Sequence, residues 1–490
     1  MRAKTALITP PDAPVSGLFL TDPKHPAEPR PTRPLRDTDP VQQGIVFADE
    51  RASLSRARAL VLYPDFKRPG ARRTAEESLA EAVNLTQAID LEIVDAMVIP
   101  LNAPKPGTLL GTGKLEELAA QIAAFDIEVV IVDGPVSPVQ QRNLERALKA
   151  KVLDRTGLIL EIFGERAATK EGTLQVDLAH LSYQKSRLVR SWTHLERQRG
   201  GGGFMGGPGE TQKEADRRAL TERIGRIERE LERVTKTRTL HRAGRKKVPY
   251  PIVALVGYTN AGKSSLFNAI TESGVLAKDM LFATLDPTLR GLSLPGGRRI
   301  ILSDTVGFIA DLPTELVAAF RATLEEVLEA DLILHVRDIA SSQSDAERAD
   351  VLDVLEGLGV ERAKLEAMIE VPNKIDLLDV VTRETLVNQS SRRDDFKAVS
   401  AASGQGVADL VARIEAALGA DDVEAHFLVP PSAGAALAAL HQDGDVRQTT
   451  TLEDGSLHLV VRLTPAALGR INKKFPGLAQ DPAQGASHET

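Results

Sequence analysis

The stretch that most limits the folds open to this chain is the octapeptide Gly257-Tyr258-Thr259-Asn260-Ala261-Gly262-Lys263-Ser264, which matches G-x4-G-K-[ST]. It follows the β-branched run 252–256 and precedes a helical pattern starting near Ser265, so it is a strand-to-helix turn. Turns of this kind belong to parallel, doubly wound sheets with helices on both faces. The glycines let main-chain NH groups and the helix N-terminus converge on phosphate, Lys263 adds a cation, and the Ser264 hydroxyl suits Mg²⁺. Residue frequencies alone would produce the pattern in on the order of one per cent of chains this long. The flanking strand and helix make chance rarer still.

A Gly-rich turn without a ligand is the bland alternative, and four further motifs in a fixed order argue against it. In Phe282-Ala283-Thr284-Leu285-Asp286, Thr284 can bring a hydroxyl to Mg²⁺ and an NH to a γ-phosphate. Asp304-Thr305-Val306-Gly307 follows the run 300–303, so its carboxylate can hold a Mg²⁺-bound water while the Gly307 NH meets the γ-phosphate. The metal set is therefore Ser264, Thr284 and Asp304, and the catalytic set Lys263, Thr284, Gly307 and Asn260. Asn373-Lys374-Ile375-Asp376 decides the base: a carboxylate accepts two hydrogen bonds from guanine N1 and N2, and adenine offers no such donor pair. Ser400-Ala401-Ala402 offers a main-chain NH to the guanine O6. Together they predict GTP and GDP as ligands.

Hydrolysis requires a positioned water, and GTPases that use a Gln for this place it directly after Asp-x-x-Gly. Here that residue is Phe308, whose ring can neither orient nor deprotonate water. The sequence thus predicts a low intrinsic rate and another group completing the site. Asn260 either binds K⁺, which would help neutralise developing charge, or merely caps the loop. A partner macromolecule that moves the switch segments is the other candidate.

The rest of the chain is organised around this domain. Residues 1–44 are rich in Pro, Asp and Arg and predict a disordered extension. Runs at 59–63, 91–99, 128–133 and 157–163 alternate with helical patterns at 75–89, 115–125 and 139–148, predicting a mostly parallel α/β domain over 45–168. Apolar residues then fall at Leu174, Leu178, Leu181, Leu188, Trp192 and Leu195, and again at Leu220, Ile224, Ile227, Leu231 and Val234. Two such heptad-like seams predict a helical hairpin over 169–245 with a loop at 199–210. The phosphate-loop domain is expected over 249–420, a small α+β domain over 425–478 with strands around Asp454-Gly455, and a tail over 479–490.

Charge matters here through its distribution. The net charge is −7, yet residues 190–247 hold 16 Lys and Arg against 8 Asp and Glu, a local +8 that leaves −15 elsewhere. A basic segment in an acidic protein predicts a polyanionic partner met at one place. The chain has no cysteine, which excludes disulfides and thiolate metal sites and fits a reducing cytoplasm. Its apolar runs are too short for the roughly 20 residues of a membrane helix, so no membrane insertion is expected.

The segment Gly206-Gly-Pro-Gly-Glu-Thr-Gln-Lys-Glu-Ala-Asp-Arg-Arg218 resembles the signature of the HflX family of GTPases, as does the domain order over about 45–420. The C-terminal domain resembles it only loosely. The resemblance implies a multidomain α/β chain: an N-terminal α/β domain with a helical hairpin, a P-loop GTPase domain with a doubly wound sheet, and a small C-terminal α+β domain. It also implies a cytoplasmic GTPase that binds the large ribosomal subunit, splits or rescues stalled ribosomes under stress and contacts rRNA through its N-terminal region; the basic hairpin suits the same contact, and a monomer is expected. A second function class keeps GTP as an affinity ligand of an RNA-binding module. The turn Gly107-Thr-Leu-Leu-Gly-Thr-Gly-Lys114 departs from the phosphate-loop pattern at Thr108 and Leu115, and is read as a turn capping a helix rather than a second nucleotide site.

Overall fold

The computed structural model describes residues 57–67, 72–198, 208–245, 250–272, 282, 284–285, 287–310, 321–420 and 422–480. The expected extension at 1–44, the hairpin tip at 199–207 with Phe204 and Met205, and the site residues Ala283 and Asp286 lie outside them.

The N-terminal sheet contains β1 (Arg58–Asp65), β2 (Glu92–Pro100), β3 (Val129–Val132) and β4 (Lys151–Asp154). Its order is β2-β1-β3-β4 and every pairing is parallel. The strands are crossed by α1 (Ala75–Gln87), α2 (Thr112–Phe125) and α3 (Pro138–Leu148). Period-2 alternation splits β1 between two cores: Leu60 and Leu62 meet Leu118, Ile122 and Leu144, while Ala59 and Val61 share a cluster with Leu85 and Leu158. Thr74 with Glu77 and Ser137 with Gln140 form capping boxes at the starts of α1 and α3. Gly111 is the N-cap of α2, so the turn before Lys114 does begin a helix.

One expectation fails here. The run 157–163 is helical, lying within α4 (Arg155–Arg166), and the fourth strand is the shorter β4 before it. Asp154 is the N-cap, accepting from the Gly157 NH at 2.8 Å. Residues 157–163 are all buried, which erases the polar side of the helical period and leaves a run that is apolar but for the buried Glu161.

Helices α5 (Lys170–Gln198) and α6 (Pro208–Arg245) pack together through Leu181, Leu220, Ile224 and Ile227, with Leu174, Leu178 and Leu231 at the margin. Helix α6 starts at Pro208, so Gly209 and Glu210 belong to it rather than to the loop. The side chains of Leu188, Trp192 and Leu195 are outside the described set.

The next domain has β5 (Ile252–Gly257), β6 (Thr288–Ser293), β7 (Arg299–Asp304), β8 (Leu332–Asp338) and β9 (Ile369–Asn373). They form a sheet of order β6-β7-β5-β8-β9, antiparallel only at β6–β7. Around it lie α7 (Lys263–Thr271), α8 (Arg321–Glu329), α9 (Ser344–Gly357), α10 (Arg362–Glu366), α11 (Val380–Arg392) and α12 (Val407–Leu418). One face packs Phe267, Leu410 and Ile414 on Val253 and Leu255. The other shares a single core with α4 of the N-terminal domain, in which Phe163 joins Phe282, Val306 and Phe308.

The last domain is an antiparallel sheet, β11-β12-β10-β13, made by β10 (Val423–Val429), β11 (Asp445–Thr451), β12 (Leu457–Leu463) and β13 (Ala479–Gln480). Helices α13 (Gly434–Asp443) and α14 (Pro465–Lys474) complete its core around Phe427 and Leu459. Ala479 and Gln480 therefore extend the sheet and correct the expected tail, because β10 otherwise offers an open edge.

Candidate functional site

The phosphate loop lies between β5 and α7, beside the ends of β7 and β9. Backbone bonds from Thr259 NH to Phe308 O (2.8 Å) and from Phe308 NH to Gly257 O (3.1 Å) carry the β5–β7 pairing past the strand ends. Gly307 is thereby pressed against the loop. A Cβ on Gly307 would stand 2.7 Å from Thr259 Cγ2 and 3.1 Å from Lys263 Nζ, so only glycine leaves room for a close approach there. Gly262 needs its freedom too, with φ +87° and Asn373 Nδ2 2.2 Å from where a Cβ would be. Asn260 is exposed, in the left-handed region at φ +60°.

Lys263 is buried and donates to the carbonyls of Gly257 (3.2 Å) and Tyr258 (2.9 Å). Burial pushes its amine down to about 8, with Asp304 opposing the shift. Ser264, Thr284 and Asp304 meet at one point: Ser264 Oγ is 2.6 Å and Thr284 Oγ1 2.8 Å from Asp304 Oδ2, and the two hydroxyls are 2.9 Å apart. Burial raises the Asp304 carboxyl, with both hydroxyls and Lys263 opposing. Among the described residues its Oδ1 is buried with no hydrogen-bond partner. Two hydroxyls and one carboxylate with an orphaned oxygen fit a hard cation that also takes phosphate and water, as Mg²⁺ does.

The base-recognition residues converge as well. Asn373 Nδ2 donates to Ala261 O at 2.9 Å and its Oδ1 accepts from the Ala401 NH at 3.0 Å, tying the phosphate loop to the 400–402 segment. Asp376 is exposed, following the buried Ile375 in a short 3-10 turn, and Lys374, at φ +65°, donates to Asp338 Oδ2 at 2.7 Å. Ser400 is buried and Ala402 exposed. Thr305 is also buried, its hydroxyl donating to Leu255 O at 2.6 Å, which makes it a strut of the sheet. Val306 and Leu285 are core residues. Described residues from all five motifs are thus brought to one end of the β5–β9 sheet.

Sequence reasoning missed Asp338, the partner of Lys374, and it missed a polar network around Tyr258. The Tyr258 hydroxyl donates to Glu81 Oε1 at 2.7 Å and accepts from the Ala310 NH at 2.7 Å. The available signal was indirect: Asp154, an N-cap residue type, marks a helix start at Arg155, which donates to the same Glu81 oxygen.

Known families match the chain along most of its length. Residues 76–164 match GTP-binding GTPase N-terminal, 166–245 GTP-binding GTPase Middle Region, 252–374 50S ribosome-binding GTPase, and 385–484 HflX C-terminal domain. The last match carries the likeness beyond residue 420, where the sequence alone suggested only a loose one. GTPase HflX of Magnetococcus marinus is 49% identical over 400 residues, 82% of this chain and 91% of that protein. GTPase HflX of Escherichia coli is 42% identical, over 82% of this chain and 93% of its own. A solved GTP-binding protein from Sulfolobus solfataricus in complex with GDP aligns with TM-score 0.40 and 24% identity, covering 74% of this chain and 98% of its own. With relatives this similar across most of both lengths, and a family match to each of its parts, the chain belongs to the HflX family of GTPases.

Proposed function

We propose that this GTPase is a nucleotide-controlled switch that docks on the large ribosomal subunit, through rRNA, to split or rescue stalled ribosomes under stress. The observation that carries the switch reading is the meeting of Ser264, Thr284 and the orphaned Asp304 Oδ1 beside the phosphate loop. Those three residues would hold Mg²⁺, which when bound supplies charge neutralisation at the β- and γ-phosphates. Lys263 and the loop amides grip the phosphates, and the Gly307 and Thr284 NH groups report the γ-phosphate. Asp376 pairs with guanine N1 and N2, and the Ala401–Ala402 main chain faces O6. Phe308 is buried and bonded through its backbone alone, so it supplies no general base. K⁺ at Asn260 is our candidate for the missing charge, and replacing K⁺ by Na⁺ should then slow turnover.

The docking part of the proposal rests on α5 and α6. Arg217, Arg218, Arg226 and Arg229 are exposed and line one shallow groove on α6. Phosphate contacts made by such a row are non-specific in sequence and weaken with salt. The match at 252–374 to a 50S ribosome-binding GTPase supports the same partner. Changing Arg197, Arg199, Arg217 and Arg218 to Glu should abolish co-sedimentation with large subunits while GTP affinity stays; retained co-sedimentation would sink the assignment. Turnover measured with and without subunits separates the switch from an RNA-binding module that uses GTP only as an affinity ligand. The switch requires strong stimulation. We place the chain in the cytoplasm as a monomer; no helix among the described residues is long and apolar enough to cross a membrane.

A further inference from the structure

Helix α4 touches both segments that flank the γ-phosphate position. At its N-terminal end Arg155 is buried and donates through Nη2 to Ala310 O (2.9 Å) and Glu81 Oε1 (2.9 Å), and through Nη1 to Asp133 Oδ1 (2.7 Å). The Ala310 NH donates to the Tyr258 hydroxyl, which in turn donates to the same Glu81 oxygen. Both main-chain polar groups of one residue, Ala310, three beyond Gly307, are therefore held by a closed ring of side chains. Two of these, Glu81 and Arg155, come from the N-terminal domain. Near the other end of α4, Phe163 meets Phe282 edge to face with centroids 4.8 Å apart. Phe282 is held at φ +55°, a conformation that side chains of its size rarely adopt.

A static staple between domains would not need to grip this particular peptide. Ala310 lies within about 10 Å of chain from Gly307, so fixing its peptide restricts where the Gly307 NH can go. The ring is also closed in the same arrangement that brings Thr284 onto Ser264 and Asp304. A cavity of about 840 Å³, bordered by Arg155, Arg73 and Ala310, adjoins the ring, so the guanidinium can swing away without repacking a core.

We propose that Arg155 and Glu81, acting with Tyr258, are positioning residues that hold Gly307 and Thr284 in the GTP-accepting arrangement, so that the N-terminal domain sets the preference for GTP over GDP. This rests on the roles given above to Gly307 and Thr284. Breaking the ring releases the Ala310 peptide, and only the triphosphate state, which needs the Gly307 NH in place, loses binding energy. GDP leaves that position unused.

The test uses the full-length protein with Glu81→Gln, Arg155→Lys and the double variant. A fluorescent non-hydrolysable GTP analogue and fluorescent GDP are titrated against each, with Mg²⁺ present, and amide exchange is followed in the peptide containing Ala310. Loss of a hydrogen bond to a charged or positioned partner should weaken analogue binding roughly tenfold. GDP affinity should hold within about twofold, exchange at Ala310 should speed up, and the double variant should be no worse than the weaker single one, because both act on one residue's main chain. Equal losses for both nucleotides, or an unchanged ratio in folded variants, would overturn the clamp alone. If the unaltered chain failed to bind the analogue, the nucleotide reading itself would fall. Should Arg155→Lys not fold, Glu81→Gln decides alone, since it keeps the side-chain volume and removes only the charge shared by Arg155 and the Tyr258 hydroxyl.

Discussion

At the scale of single residues, Lys263 is a buried cation whose surroundings alter its protonation. Its amine is held at about 8, so it is charged below that pH and neutral above it. A bound triphosphate favours the charged form, and binding above pH 8 must therefore take up a proton. Calorimetric titration should find GTP affinity flat from pH 6.5 to 7.5, then falling by up to about tenfold per unit above pH 8. The empty protein responds in the opposite sense. Between about 8 and the unfolded value near 10.4 the unfolded chain binds more protons, so this group adds stability as pH rises through that window. Lys263, like Ser264, Asp304 and Asp376, was legible in the sequence because phosphate, Mg²⁺ and guanine each demand one residue type at one spacing. The salt bridge of Lys374 with Asp338 was not, since β8 and β9 lie far apart in sequence and only the sheet order brings them together.

Among elements, the loop between β5 and α7 depends on Gly262 more than on its other small residues. Gly262→Ala must both strain φ +87° and drive a methyl group into Asn373, which links Ala261 O to the Ala401 NH. The expected outcome is a stability loss of about 1–3 kcal/mol together with GTP binding weakened at least about 100-fold. Thermal unfolding and nucleotide titration on the same sample check the two. Elements with one wet face, such as α1 and α3, could be read from their periodicity and caps. Those without one could not: α4 is dry along 157–163 and imitates a strand, and β6, which carries Gly291 at the sheet edge, has too little apolar character to announce itself.

For the molecule as a whole, the joint between the nucleotide domain and the C-terminal sheet is governed by one carboxylate. Asp422 is almost wholly buried and pairs with Arg298, from the β6–β7 turn, and with Arg462 on β12, 3.6 Å from its Nε. The same arginines reach back to the carbonyls of Leu418 and Gly419 at the end of α12. Asp422→Ala leaves the two cations facing each other, and it should cost about 2–4 kcal/mol, the lower end reflecting the 39% exposure of Arg462. Scanning calorimetry should then show the C-terminal domain melting first as a separate transition. Nothing in the sequence pointed to this joint, because ion pairs between distant segments leave no periodic trace.

The N-cap of α4 also has a mechanical side. Asp154, which starts that helix, accepts hydrogen bonds from Tyr183 and Arg187, both on α5. Helix α5 runs 29 residues, about 43 Å, as a stiff rod. Tyr183 and Arg187 lie about midway along it, so a tilt of about three degrees about that grip displaces the end at Gln198, roughly 16–23 Å away, by about 1 Å, a shift large enough to make or break a phosphate contact.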